Sequence, residues 1–144
     1  MNANDLYERD FYAWAQQQAE FLKNQQWTAL DVNHLIEEIE DMGSAKITQI
    51  ENRLGVLLAH LLKWQRYPEG RCNSWAATIM EQREKLHRLI RKNPSVKPLL
   101  AEAFTDAYRD ARLMAFRDTG LPPEQWPVSC PFSWEQALDD DFWP

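Results

Sequence analysis

Residues 47–61, which read ITQIENRLGVLLAHL, carry the clearest signature of the fold. Apolar side chains recur there in steps of three and four residues, at Ile47, Ile50, Leu54, Leu57 and Leu61. An α-helix turns once every 3.6 residues, so these steps place the side chains along one helical face. The segment therefore predicts an amphipathic helix with a buried apolar face.

The same stripe continues towards the N-terminus, which predicts one long helix from just after Asp31 to about Tyr67. The interval between Met42 and Ile47 is five residues and contains Gly43. A kink, a bulge or a break into two helices is expected at this interval. The members of the stripe in this N-terminal part are Leu35, Ile39 and Met42.

Three further helices are predicted from the same periodicity and from capping residues. They run from about Leu6 to Asn24, from Asn73 or Ser74 (either of which can cap) to Asn93, and from Ser95 or Pro98 to Thr119. Gly120 is suited to a left-handed helix stop, and two prolines follow it.

The segment 120–144 combines five prolines with five aromatic residues. Prolines interrupt regular structure and aromatic rings favour burial, so this segment is expected to wrap irregularly against the helices. A short helix near Trp134–Asp139, capped by Ser133, is predicted within it. The fold class is thus all-α: a bundle of four to six helices in a single domain, 1–144, with a helical core at about 5–119.

Composition excludes several classes of protein. The 144 residues are 44% hydrophobic and include 7 Trp, which is too apolar for a disordered chain, and 2 Cys do not make a disulfide scaffold. The start of the chain shows no signal peptide, and no apolar run approaches the roughly 20 residues of a membrane span. We therefore expect a cytoplasmic protein that does not bind membranes.

The formal net charge of −6 is unevenly distributed along the chain. Residues 1–43 carry −7, residues 44–98 carry +7, and residues 99–144 carry −6. Either the acidic and basic elements neutralise each other internally, or the basic segment faces an acidic partner. Two favourable i,i+4 pairs, Glu81–Lys85 and Glu84–Arg88, account for part of the basic charge and make nucleic-acid binding through 44–98 the weakest hypothesis.

One group of side chains is a candidate ligand site. His60, Lys63 and Trp64 flank the stripe of the long helix, and Trp75 and Arg83 lie on the following helix. If the two helices are neighbours, these groups converge and offer positive charge and ring surfaces to a small anionic ligand. The structural alternative is that long polar side chains extend beside a core that the tryptophans cover.

Candidate metal ligands are few. His34 and Glu38 fall on one side of the long helix together with Glu37 and Asp41. Because that side lies largely opposite the apolar stripe, we interpret it as a solvated face. Glu84 and His87 have the Glu-x-x-His spacing of bundle di-metal proteins without the second such pair that a di-metal site needs. We therefore predict no metal and no cofactor, with Glu38 retained as a ligand-binding candidate.

Five segments together resemble the bacterial family known as domain of unknown function 29. The family implies a helical domain without an assigned activity, and it draws attention to the candidates that fall inside its motifs. The matching segments are Tyr7–Trp14 (YERDFYAW), Leu35–Gly43 (LIEEIEDMG), His60–Gln65 (HLLKWQ), Ser74-Trp75 with Gln82-Arg83, and Asp141–Pro144 (DFWP).

The sequence is compatible with three functions. The first is a helical interaction module that binds a protein partner or itself as a homodimer. The second is an enzyme or small anionic-ligand binder at the group formed by His60, Lys63, Trp64 and Arg83, with or without a metal at Glu38. The third is nucleic-acid binding through 44–98. No nucleophile or phosphate-binding motif is present, which favours a non-enzymatic function without excluding catalysis.

Overall fold

A computed structural model describes residues 3–144, with side chains from Leu6 onward, and confirms the all-α class. No strand occurs among these residues. Six α-helices are present in the described part: α1 (Ala3–Arg9), α2 (Phe11–Lys23), α3 (Val32–Arg66), α4 (Asn73–Lys92), α5 (Leu100–Thr119) and α6 (Trp134–Leu138).

The chain divides into two compact units, Met1–Ser44 and Ala45–Pro144. The boundary falls inside α3, which contributes to both. The first unit holds α1, α2 and the N-terminal part of α3, and the second holds the remainder of the chain. The single domain expected over 1–144 stays a prediction.

The first predicted helix is two helices, so the expectation of one helix from Leu6 to Asn24 was wrong. The chain leaves the helical conformation at Asp10, whose φ is −149° and whose carboxylate accepts a hydrogen bond from the backbone N–H of Ala13 at 3.0 Å. This contact is a helix N-cap, and it satisfies a donor of the first turn of α2. Asp10 therefore ends one helix and begins the next.

The long helix α3 has the predicted extent. Of the kink, bulge or break expected between Met42 and Ile47, the break into two helices is absent, since α3 is assigned as one helix from Val32 to Arg66. The expected buried stripe is also shorter than predicted. Ile39 and Met42 are 64% and 69% exposed, whereas Ile50 and Leu54 are fully buried. Gly43 lies in this exposed part of α3, and nothing lies within 4 Å of the position of a Cβ added there.

The core of the second unit is built around the C-terminal half of α3. Apolar side chains from α4, α5 and the C-terminal segment pack with it, including Ile79, Leu86, Ala107 and Trp126. Gly55 permits a close approach of α5, because a Cβ there would lie 3.1 Å from Met114 Cε and 3.6 Å from the carbonyl oxygen of Ala107. Ala107 is fully buried, and its small side chain allows α5 to pack closely against α3 at Gly55.

Three helix boundaries refine the predictions. Cys72 is the N-cap of α4 and makes no side-chain capping bond, so the expected capping by Asn73 or Ser74 was wrong. A 3-10 helix, Pro94–Leu99, precedes α5 and delays the start of that helix to Leu100. Gly120 ends α5 with φ +78°, the left-handed conformation that was expected there.

The C-terminal segment contains the predicted short helix. The Ser133 hydroxyl accepts from the backbone N–H of Gln136 at 3.1 Å, and the Gln136 side chain accepts from the Ser133 N–H at 3.0 Å. This reciprocal pair is a capping box. Trp126, Phe132 and Leu138 are buried in the core of the second unit, so the irregular segment packs as expected.

Candidate functional site

Lys63 has a buried, fully engaged amine. The side chain is 3% exposed, and Nζ donates to Asp118 Oδ2 at 2.9 Å. The amine also lies 4.7 Å from the ring centroid of Trp75, within cation–π range. Helix α3 supplies the lysine, α4 the ring and α5 the carboxylate, so the ion pair and the cation–π contact together join three helices.

His60 lies one helical turn before Lys63 and is oriented by the helix itself. Its Nδ1 is 2.8 Å from the carbonyl oxygen of Val56, which assigns the ring proton to Nδ1 and leaves the Nε2 lone pair towards Lys63 Nζ at 3.5 Å. Burial lowers the pKa of His60, and the neighbouring Lys63 charge lowers it further, against the hydrogen bond to Val56. The imidazole is therefore held neutral at physiological pH.

Trp64 lies in a separate aromatic cluster near the C-terminus. Its ring centroid is 4.9 Å from that of Trp143, and the guanidinium of Arg71 lies 5.2 Å from the Trp64 ring. Arg71 also donates to the carbonyl oxygens of Trp64 at 2.6 Å and Pro144 at 3.3 Å. Trp64 and Arg71 thus hold the end of the chain.

Arg83 is buried and binds backbone carbonyls of the C-terminal segment. It donates to Ala137 and Phe142 at 2.8 Å each, and its guanidinium lies 5.5 Å from the Trp143 ring. Burial lowers the pKa of Arg83, and the charges of Asp140 and Asp139 oppose that effect. These bonds engage Nε and Nη2 of Arg83, whereas Nη1 is buried without a hydrogen-bond partner.

The structure thus divides the candidates between two clusters. His60, Trp75 and Asp118 converge on the Lys63 amine, whereas Trp64 and Arg83 meet at Trp143. In the first cluster a carboxylate already balances the ammonium charge, a ring covers the ammonium, and the imidazole has a fixed tautomer. Both arrangements tie segments of the chain together, and a ligand would reach Lys63 only by replacing Asp118.

Glu38 and His34 belong to a polar network in the first unit. Tyr7 stacks on His34 with ring centroids 3.8 Å apart, and its hydroxyl donates to Glu38 Oε1 at 2.5 Å. His34 Nδ1 and Trp14 Nε1 both contact Asp31 Oδ2, at 2.7 and 3.0 Å. Burial would raise the pKa of Asp31, but these two hydrogen bonds lower it overall. Their role is to fasten α1 and α2 to the start of α3.

The remaining metal candidates also have protein partners. Glu84 pairs with Arg88 at 2.9 Å, and His87 Nε2 lies 2.8 Å from the carbonyl oxygen of Leu138. Among the residues that the structure describes, no three His, Cys, Asp or Glu side chains are grouped so as to hold a metal ion.

Several important partners were not found from the sequence. Asp118 lies 55 positions from Lys63, and no local spacing connects the two. Asp31 was interpreted only as the residue before a helix. A buried tryptophan indole such as that of Trp14 usually donates a hydrogen bond, and this preference was a signal that an acceptor lies nearby. The expected pairs Glu81–Lys85 and Glu84–Arg88 are both confirmed, at 2.5 and 2.9 Å.

A family model described as "Domain of unknown function DUF29" matches residues 6–143. The chain belongs to this family. No curated protein and no solved structure matches the chain significantly. In this DUF29 chain, Lys63 from the motif His60–Gln65 lies against Trp75 from the motif beginning at Ser74. Two of the motifs that resemble the family therefore meet in one packing contact.

No helix in the described part of the chain combines the length and apolarity that a membrane span requires. Cys72 and Cys130 are both free thiols, and burial raises the pKa of the Cys130 thiol. A raised pKa lowers the fraction of reactive thiolate, so Cys130 is suited to packing rather than to nucleophilic chemistry.

Proposed function

We propose that this chain is a helical interaction module that binds a protein partner through the N-terminal part of α3. The observation that carries the proposal is a set of exposed aliphatic side chains, which we call the α3 apolar face. At 100° per residue they fall within about 120° of one another on the helix. The face consists of Val32, Ile36, Ile39 and Met42, each about half to two-thirds exposed.

An exposed apolar stripe of this kind is costly for an isolated chain. Removing apolar surface from water is worth about 25 cal/mol per Å2, and contiguous exposed patches mark interaction surfaces. Single exposed residues are ordinary, but four on one helical face form the anchor pattern that grooves and partner helices recognise. Covering Ile39 and Met42 would supply the main favourable contribution to such a complex.

Charge indicates the chemistry of the partner. Glu37 and Glu40 are exposed beside Ile36, and residues 1–43 carry a net charge of −7. A partner with Lys or Arg around an apolar patch would complement this face and associate faster at low salt. A second copy of the same acidic face would be repelled, which favours a different protein over a symmetric homodimer through α3.

Site-specific photo-crosslinking in cells tests the proposal. A photo-reactive phenylalanine analogue would replace Ile39 in one variant and Leu113, which is similarly exposed on α5, in a matched control. We expect a discrete adduct with one protein from position 39 and none from position 113. The same adducts from both positions, or none from position 39, would reject the α3 apolar face as a docking surface.

The mass of the adduct identifies the occupant. An adduct of twice the mass of the chain would show self-association through α3 and would overturn the preference for a different partner. Light scattering of the purified protein would give the oligomeric state independently. The cytoplasmic location expected from the sequence remains part of this proposal, and the two free thiols are compatible with a reducing compartment.

A further inference from the structure

We infer that the second unit contains a binding cleft for an amphipathic organic anion, such as a carboxylate with an aliphatic tail. The cleft has a volume of about 1100 Å3 and lies between the end of α4, the 3-10 helix that follows, the start of α5, and α6. This site is separate from the α3 apolar face and does not depend on the function proposed for it.

The lining of the cleft is largely apolar and partly aromatic. Phe104 and Trp134 form one wall, with their rings edge to face and centroids 6.0 Å apart. Ile90, Leu100 and Leu138 complete the apolar surface. Ligand pockets are typically about 300–1,000 Å3 and mostly apolar, with a few polar groups that orient the ligand. A small polar metabolite would leave much of this surface uncovered, whereas an aliphatic tail would cover it.

The positive charge of the cleft comes from the last turn of α4 and from the 3-10 helix that follows it. Arg91 and Lys97 both line the cleft, on either side of Pro94. Within the described part of the chain, neither has an ion-pair partner, whereas Lys63, Lys85 and Arg88 are all paired. Two cations of this unit that have no ion-pair partner, Arg91 and Lys97, therefore line a largely apolar cleft.

The asymmetry of the lining favours one anionic head and one tail. The two cations lie at the end of α4 and in the 3-10 helix that follows it, and the aromatic wall lies on α5 and α6. Glu135 is the acidic residue in the lining and comes from α6, so it disfavours an anion near the aromatic wall. His87 also lines the cleft, with Nε2 bonded to the Leu138 carbonyl. An acidic helix from a protein would distribute its charge along the whole cleft and match this arrangement less well.

The inference is tested by titrating decanoate into the full chain, with binding measured by calorimetry and by NMR of the Trp134 indole. We expect saturable binding that shifts the Trp134 resonance. The exposed cations are suitable targets because their replacement leaves the core intact. In the double variant Arg91→Gln, Lys97→Gln the Kd should rise about tenfold, the loss expected for one charge-assisted hydrogen bond. Lys92→Gln, at an exposed neighbour outside the lining, is the matched control and should not change the Kd.

Two comparisons make the outcome decisive. Decyl maltoside, which has the same tail without a charge, should bind more weakly than decanoate, and acetate should not bind measurably. Equal affinity for decanoate and decyl maltoside, or shifts that do not include Trp134, would overturn the inference. Binding of an acidic amphipathic peptide in the absence of decanoate binding would also overturn it and assign the cleft to a protein ligand.

Discussion

Lys63 Nζ lies 2.9 Å from Asp118 Oδ2, and the two partners differ sharply in exposure: the lysine side chain is 3% exposed and the aspartate 37%. The ion pair therefore has one buried end and one hydrated end. The buried ammonium depends on its partner, whereas the carboxylate can be solvated without it. Removing each partner separately should consequently have unequal effects on stability.

Asp118→Asn should lower the free energy of unfolding by about 1–2 kcal/mol, below the range for a fully buried pair because Asp118 is partly hydrated. Lys63→Met should cost less than Asp118→Asn, because it removes the buried charge together with the pair. Asp106→Asn, which disrupts the exposed pair with Arg109, is the control and should change stability by no more than about 0.5 kcal/mol. Urea denaturation measures all three, and equal effects of the two core-pair variants would contradict this explanation.

His60 should make stability depend on pH in the mildly acidic range. Burial lowers its pKa in the folded state below the unfolded value of about 6.5, so the unfolded chain takes up the proton first as the pH falls. Stability is therefore highest above that value and declines below it, down to the folded-state pKa. His60→Gln should flatten this decline. Melting curves from pH 7.5 to 5 that are identical for wild type and His60→Gln would show that the ring does not titrate with unfolding.

Arg83 should be required for the C-terminal segment to remain packed. Lysine cannot reproduce the separate bonds to the carbonyls of Ala137 and Phe142, so Arg83→Lys should cost about 2–3 kcal/mol. Hydrogen exchange should show lost protection in α6 while α5 keeps its own. Arg88→Lys, which retains a simple exposed pair with Glu84, is the control. Uniform loss of protection in α5 and α6 would instead mean that Arg83 supports the whole unit.

Gly43 and Gly120 should respond in opposite directions to alanine. At Gly43 the helix is continuous and an added Cβ meets nothing within 4 Å, so Gly43→Ala should stabilise α3 locally by up to about 1 kcal/mol. At Gly120 the φ of +78° disfavours any side chain, so Gly120→Ala should destabilise the end of α5 by about 1 kcal/mol. Amide exchange near each position measures both effects. We expect slower exchange around position 43 in Gly43→Ala and faster exchange at the end of α5 in Gly120→Ala. Exchange that is not slowed in Gly43→Ala would argue against a continuous α3.

Periodicity predicted which face of each helix is apolar but not what covers that face. Ile50 and Ile39 belong to one stripe in the sequence, yet the first is buried and the second exposed. Local signals were reliable where one residue type dominates the chemistry, as at Gly120 and at the Ser133 cap. They failed at Asp10, which lies within the single helix predicted from Leu6 to Asn24 but interrupts it.

The candidate site shows the same limit. The sequence predicted that the candidate side chains converge if α3 and α4 are neighbours, and in the structure His60 and Trp75 lie against the Lys63 amine. It did not predict Asp118, because that pairing depends on how α5 packs against α3. Arg83 was expected beside these residues, but its partners are carbonyls of an irregular segment whose path no periodicity specifies.

Quantitative affinity purification of charge-introducing variants tests most directly whether the α3 apolar face docks a protein partner. The double variant Ile39→Glu, Met42→Glu is compared with Met80→Glu, Leu113→Glu, whose side chains are similarly exposed in the second unit. We expect one partner to be recovered with the wild type and the control, and about tenfold less of it with the α3 variant, because a buried apolar contact is replaced by charge. Equal recovery with both variants would show that the α3 apolar face does not dock this partner.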